Sequence, residues 1–355
     1  MPRRRQAVTI KHVAADAGVS LQTVSRVIND APNVRPEMTE RVKASIEKLG
    51  YTPSIAAQRM SGSRSYLILA LNDRARTIAD WQARRGSDWV DQMLLGGMLK
   101  CAEHGYRMIF ELVDTHNDHV TREINAALVA LQPDGVILTP PHSDNPLITG
   151  LLAERKIPFA RIGSLGEGGG IPLIMGDEDA ARQATRHLIA LGHRRIGFIT
   201  GSGEYALSQW REDGWRAEMA VAGLATEELC QPGNFSHASG YRAASALLAL
   251  PDRATAIIAS NDEMAMASLA AAADKGLSVP RDLSVISFDN TPMVALGPTP
   301  LTAIDQPIAE TVARAAELLI AAKRGDAIPA GPSVVLARLI ERGSTAPAPA
   351  LPARV

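Results

Sequence analysis

Between residues 9 and 50 the apolar positions repeat with a helical period. Ile10, Val13, Ala14 and Ala17 fall at i, i+3, i+4 and i+7, one buried face of a short helix that Thr9 is placed to cap. Gly18-Val19-Ser20 permits a turn, and Ser20 caps a second helix from Leu21 to about Ile28 that buries Val24, Val27 and Ile28. That burial leaves Leu21, Gln22, Ser25 and Arg26 on the open side. A third helix is expected from Pro36, which suits a first helical position, through Val42, Ile46 and Leu49 to a stop at Gly50. Two short helices meeting across three residues and backed by a third form a helix-turn-helix core. From Tyr66 onward the period changes. Leu67–Leu71, Arg107–Val113, Gly135–Thr139, Pro158–Ile162, Arg195–Thr200, Thr255–Ser260 and Leu283–Phe288 are β-type runs, separated by helical stretches such as Glu178–Ala190 and Asp262–Lys275. The expected class is α/β: a small all-α head and a doubly wound α/β body of more than one sheet.

Composition adds an asymmetry of charge. At 355 residues the chain exceeds a single core, and 46% hydrophobic with 21% charged residues is a globular balance. Residues 1–65 hold 11 Lys/Arg against 5 Asp/Glu, net +6, while the rest of the chain is net −7. A basic head on an acidic body points to a polyanion partner for the head alone. The open side of the second helix suits base edges: Gln for adenine, Arg for guanine or phosphate, Leu for a thymine methyl. The partner expected is double-stranded DNA. Cys101 and Cys230 lie far apart with no partner at metal-ligand spacing, which favours a reducing cytosol. No apolar stretch follows Arg3-Arg4-Arg5 and no run of about 18 apolar residues occurs, so neither export nor a membrane span is expected.

Thr9–Asn29, TIKHVAADAGVSLQTVSRVIN, and Glu47–Pro53, EKLGYTP, resemble the head of the lactose/galactose repressor family (LacI/GalR), and the resemblance covers nearly the whole chain. It implies a transcriptional regulator with Leu21 and Gln22 reading bases in the major groove and Arg26 assisting. Thr9, Lys11, Ser20, Thr23, Ser25 and Asn29 complete the implied contact set. His12 stands where the family more often has an acidic residue, and Arg35 where it often has a Ser cap. Residues 53–64 correspond to the hinge helix, which folds only when two chains lie side by side on the operator. Ala57 and Met60 are its implied contacts, with Met60 where many relatives place a Leu that wedges into the minor groove. The implied domains are a head over 1–52, this hinge, and an effector-binding and dimerisation body over 65–343. That body has two lobes resembling periplasmic sugar-binding proteins.

The ligand would lie in the cleft between the lobes, beyond the carboxyl ends of the strands. By resemblance Arg211 holds ligand hydroxyls or a carboxylate and Phe235 stacks on the ligand ring. Asn261 and Asp289 are polar groups at strand ends that offer a rim of donors and acceptors, and Thr139 is a further candidate at the end of a first-lobe strand. Between Asp73 and Gly97 the chain departs from its relatives, since Arg74–Ser87 intervenes as a loop bordering the cleft. Trp81 or Trp89 forms one wall of the sugar site there, or the loop is a surface excursion packed on itself. ILTPPHSDNP at 137–146, LIALGHRRIGFI at 188–199 and ASNDEMA at 259–265 resemble a branch that controls glycoside utilisation.

Other motifs are set aside. Asp114, His116, Asp118 and His119 lack a third ligand at helical spacing, so a solvated loop is expected in place of a metal site. Gly166–Gly170 opens no helix and is expected as a flexible loop. No nucleophile elbow or acid pair is tied to a constellation, so no enzyme and no cofactor are expected. Residues 344–355, rich in Pro and Ala, are expected as a disordered tail without a tetramerising coil, which leaves a homodimer. Three functions remain open: a repressor released by a sugar or glycoside, an activator or corepressor-dependent regulator, and a sugar-binding protein whose head does not act on DNA.

Overall fold

A computed structural model describes residues 8–28, 33–51, 64–83, 88–116 and 119–349. It divides into two compact units, Met1–Tyr66 and Leu67–Val355.

The first unit holds helices α1 (Ile10–Ala17), α2 (Leu21–Ile28) and α3 (Pro36–Leu49). Val13, Ala14, Ala17, Val24, Val27, Val42 and Tyr51 form its core, with Ile28 half-buried against them. Thr9 caps α1, and its backbone N–H donates to Nδ1 of His12 at 3.0 Å. His12 thus closes a capping box from the third helical position. Gly18 ends α1 at φ 65°, a left-handed turn that glycine adopts without strain. The Arg41 guanidinium closes the back of that turn by donating to the Ala17 carbonyl at 2.6 Å, and Lys48 pairs with Asp16 at 2.7 Å.

The second unit is two lobes, each a six-stranded sheet. In chain order its elements are β1 (Leu67–Asp73), α4 (Arg74–Gln82), α5 (Asp88–Glu103), β2 (Arg107–Val113), α6 (Val120–Leu131), β3 (Gly135–Leu138), α7 (Pro146–Glu154), β4 (Phe159–Ile162) and β5 (Ile171–Ile174). Next come α8 (Asp177–Ala190), β6 (Ile196–Ile199), α9 (Ala206–Val221), β7 (Cys230–Gln231), α10 (His237–Ala249), β8 (Ala256–Ala259), α11 (Asp262–Asp274) and β9 (Ser284–Asp289). The last are α12 (Pro292–Ala295), β10 (Thr302–Asp305), α13 (Ile308–Arg324), β11 (Ser333–Val334) and β12 (Arg338–Ile340). The first lobe has strand order β11-β5-β4-β3-β1-β2, all parallel. The second runs β12-β10-β9-β8-β6-β7, parallel except for β12. Strands β1, β3, β4, β6 and β8 are buried almost throughout because helices cover both faces of each sheet.

The chain crosses between lobes three times, after β5, after β10 and between β11 and β12, so α13 returns to pack on the first sheet. Two glycines let helices touch backbone to backbone. A Cβ at Gly96 of α5 would lie 1.9 Å from the Ala309 carbonyl oxygen of α13, and one at Gly214 of α9 would lie 2.1 Å from that of Glu178 in α8.

Four expectations need correction. The apolar runs predict seven strands, and β5, β7, β10, β11 and β12 are additional, each only two to four residues long. Arg74–Ser87 is not a loop over its first nine residues: Asp73 accepts the Arg76 N–H at 3.1 Å and starts α4. Gly166–Gly170 is fixed by the buried Arg161, which donates to the carbonyls of Gly166 (2.7 Å) and Gly169 (3.2 Å) and pairs with Asp144 at 2.7 Å. The tail is bound over 344–349. Ser344 is fully buried and accepts from the Thr302 N–H at 2.8 Å, and Ala346 lends its carbonyl to His193 at 3.1 Å. Small residues with prolines make an extended segment thin enough to lie along the sheet margin, and Ser344 supplies its side-chain anchor.

Candidate functional site

In the helical unit, α2 presents Leu21, Gln22 and Arg26 to solvent, with Leu21 44% exposed despite its apolar side chain. Lys11 is exposed on α1. Ser20 and Thr9 are already engaged as caps: Ser20 Oγ accepts the Thr23 N–H at 3.1 Å and lies 2.9 Å from Thr23 Oγ1. Thr23 and Ser25 are half-buried beside this turn. Asn29, Ala57 and Met60 lie outside the described residues.

In the two-lobed unit a cavity opens between the carboxyl ends of the two sheets. Counted together with its open mouth it measures about 650 Å³. The first lobe contributes Asn72 and Asp73 from the end of β1, Arg76 and Thr77 from the first turn of α4, Trp89 from α5, and Pro140 after β3. The second contributes Tyr205, Leu207 and Arg211 around the start of α9, Phe235 before α10, Asn261 after β8, Asp289 at the end of β9 and Gln306 after β10. Phe235 and Asp289 hold φ of 66° and 93°, left-handed values that cost side-chain-bearing residues energy and are tolerated where the surroundings impose them.

Arg211 is 2% exposed and tightly held. Its Nε and Nη2 donate to one oxygen of Asp177 at 2.9 and 2.8 Å, its Nη1 donates to the Ser260 carbonyl at 2.6 Å, and its plane lies over the Phe288 ring at 4.5 Å. Asn261 caps α11, accepting from the Met264 N–H at 3.0 Å, while its amide donates to the Phe235 carbonyl at 2.9 Å. Asp289 accepts from the Gln306 amide at 2.8 Å. The side-chain carbonyl oxygen of Gln306 is buried with no hydrogen-bond partner among the described residues. Burial raises the Asp289 carboxyl above the usual carboxylate range, against the pull of Arg211 and Arg76. Asp262 behind it is raised by burial first and then by the Asp289 charge.

Two expected residues stand elsewhere. Thr139 is fully buried behind the cavity, donating to the Leu71 carbonyl and to Asn72 Oδ1, both at 2.9 Å. It orients Asn72, whose amide then donates to Thr77 at 2.8 Å. Trp81 is 48% exposed on α4 and does not line the cavity, whereas Trp89 does. Asn72, Asp73, Arg76, Thr77, Pro140, Tyr205, Leu207 and Gln306 line it without being marked as ligand contacts by sequence pattern. Asn72 and Asp73 follow the strand run Leu67–Leu71, so the strand-end rule that marks Asn261 and Asp289 finds them too when applied to β1.

Comparison with known proteins gives a consistent picture. Residues 9–54 match the profile of bacterial regulatory proteins of the lacI family, and residues 185–345 match the periplasmic binding protein-like domain. The HTH-type transcriptional regulator DegA of Bacillus subtilis is 31% identical over 348 residues, 96% of this chain and 98% of that protein. Catabolite control protein A of Priestia megaterium is 30% identical over 320 residues, 88% of this chain and 91% of that one. Among solved structures, the complex of the regulator CelR with cellobiose aligns at TM-score 0.71 with 28% identity, covering 95% of this chain and 99% of that one. The lac repressor dimer bound to operator and the anti-inducer ONPF aligns at 0.73 with 26% identity, covering 96% and 100%. With a helix-turn-helix head, a two-lobed binding-protein-like body and relatives matched along almost their whole length, the chain belongs to the LacI family of bacterial regulatory proteins.

Proposed function

We propose that this LacI-family regulator acts in the cytoplasm as a homodimeric repressor, released from its operator when a sugar or glycoside occupies the interlobe cavity. One observation carries the proposal. The cavity sets aromatic surface, from Trp89, Tyr205 and Phe235, against amide and carboxylate groups of Asn72, Asn261, Asp289 and Gln306 at strand ends. A pyranose, with one apolar face and many hydroxyls, needs that combination. The relatives solved with cellobiose and with ONPF support the same ligand class.

On the DNA side, Leu21, Gln22 and Arg26 meet base edges and Lys11 meets phosphate, with Asn29, Ala57 and Met60 completing the contact set. The exposed stripe Leu95, Met98 and Leu99, at i, i+3 and i+4 on α5, supports a second copy of the chain as the surface that covers it. No helix among the described residues is long and apolar enough to cross a membrane. Sugar favours one arrangement of the lobes, and operator affinity falls by the ligand's differential affinity for the two arrangements. A salt-titrated gel shift with operator DNA and a sugar panel tests this. Release by one sugar supports the proposal, tightening by one reverses the sign of control, and no specific DNA binding at all overturns it.

A further inference from the structure

Helix α4 belongs to the stretch by which this chain departs from the family pattern, and it reaches across the cleft. Two contacts tie its start to the second lobe. Asp73, its cap, accepts from the Tyr205 hydroxyl at 3.2 Å, and the Arg76 guanidinium lies over the Phe235 ring, 5.2 Å from its centre. Phe235, a member of the second lobe's core, is 7% exposed although it lines the cavity. Its other surroundings are equally close. The Tyr205 ring lies 5.6 Å away, tilted by 38°, and a Cβ at Gly201 would stand 2.1 Å from its Cζ, so the ring cannot retreat. A sugar ring therefore cannot lie on this aromatic surface while Arg76 covers it.

Arg76 also has somewhere to go. One helical turn along α4, Asp80 stands 3.9 Å from its Nε, beyond hydrogen-bond length but within reach of a rotamer change. Asp80 thus faces the guanidinium while it covers Phe235, and a small shift of the side chain toward Asp80 would tighten that pair. By contrast Arg211, the other cation lining the cavity, is held by Asp177 and Ser260 and has no such freedom.

We propose that Arg76 is an affinity-determining residue of the effector site that competes with the ligand: it occupies the aromatic face of Phe235 in the empty cleft, and a sugar seated there displaces it toward Asp80. The inserted helix thereby acts as a built-in competitor and loosens from the second lobe when the effector binds. This rests on the sugar-binding assignment of the cavity, and the test separates the two.

The full-length protein and its Arg76→Ala and Asp80→Asn variants are compared in two measurements. Backbone hydrogen exchange of the unliganded proteins over residues 74–82 reads the anchoring without any ligand. Arg76→Ala is expected to raise exchange there severalfold, because the tie to Phe235 is gone. Thermal-shift titration with cellobiose, lactose, ribose and methyl glycosides reads the competition. Arg76→Ala is expected to bind the responsive sugar about three- to tenfold more tightly, and Asp80→Asn more weakly than wild type. Unchanged exchange in Arg76→Ala overturns the proposal whatever the sugars do. Tighter binding supports it, whereas binding weakened tenfold overturns it by making Arg76 a direct ligand contact. If no sugar shifts any of the proteins while exchange still rises in Arg76→Ala, the anchoring of α4 is supported and the sugar assignment fails.

Discussion

The Arg211–Asp177 pair offers a sharp test of how the effector site is built, because it separates a ligand contact from a structural one. Arg211→Ala removes a guanidinium that is 2% exposed and leaves a carboxylate that is 1% exposed. One oxygen of that carboxylate, Oδ2, has no hydrogen-bond partner among the described residues, and the other is held by Arg211, so the variant leaves the buried charge without that counter-ion. Breaking a buried pair from one side typically costs about 3–5 kcal/mol, chiefly the penalty of the charge left behind. The lost stacking on Phe288 adds up to about 2 kcal/mol. In urea unfolding followed by circular dichroism, with a slope of about 3 kcal/mol per M, the transition of the unliganded body is expected to fall by at least about 1 M. Replacing both partners by apolar residues, Arg211→Met with Asp177→Leu, is expected to recover most of that loss. A single variant within about 0.5 kcal/mol of wild type, or a double variant no better than the single, refutes the reasoning. Loss of effector response in Arg211→Ala is informative about ligand contact only after correction for this destabilisation.

Three further outcomes follow from the geometry. His116 bridges the cleft mouth to Glu204 at 3.1 Å, and that hydrogen bond, ahead of the nearby charges of Glu204 and Asp114, raises its imidazole above the ordinary 6.5. A raised pKa stabilises the protonated fold, fully below 6.5 and less as pH climbs through the raised value, so the thermal-midpoint gap between wild type and Glu204→Gln should be widest below 6.5 and close as pH rises through the raised value. Burial lowers His142 and His193 from the same 6.5, and their contribution has the opposite sign, complete above 6.5 and lost as pH falls toward the lowered values. Gly201→Ala would place a Cβ 2.1 Å from Phe235 Cζ and 2.5 Å from Ser208 Oγ, driving the ring into the cavity. About 1–3 kcal/mol of strain and a sharply reduced sugar-induced thermal shift are expected, and an unchanged shift would show that the ring has slack. Gln22→Ala, on the exposed face of α2, should leave the melting temperature unchanged and cost about 1–3 kcal/mol of operator discrimination by fluorescence anisotropy, with affinity for random DNA preserved.

Local pattern carries much of the architecture and less of the site. Helix period and caps place α1, α2 and α3 because these helices are short, neighbouring in sequence and amphipathic around one small core. The longer buried strands are legible as apolar runs. Strands β7 and β11, at two residues each, carry no periodic signal, and β12 is recognised only by its pairing with β10. Helix α4 reads as a loop although Asp73 is a good N-cap, since its only fully buried residue is Thr77 and no apolar stripe marks it. At the cavity, strand-end polarity points correctly to Asn261 and Asp289 as lining residues but not to their work as cap and hydrogen-bond partner. It fails for Thr139, whose hydroxyl turns sideways onto the neighbouring strand, a direction that the sequence pattern does not contain.

The return of α13 to the first sheet has a consequence for biosynthesis. Helices α1 to α3 are contiguous within 10–49, so the head can fold while most of the chain is still unmade. The first lobe begins at Leu67, yet it lacks the helix that covers one of its faces until Ile308–Arg324 has emerged, and its edge strand until Ser333–Val334. Its apolar surface around Gly96, Gly97 and Gly135 therefore waits uncovered through the synthesis of the whole second lobe. Ribosome stalling late in the message, or truncation before residue 308, would release a folded head joined to a body unable to close its core.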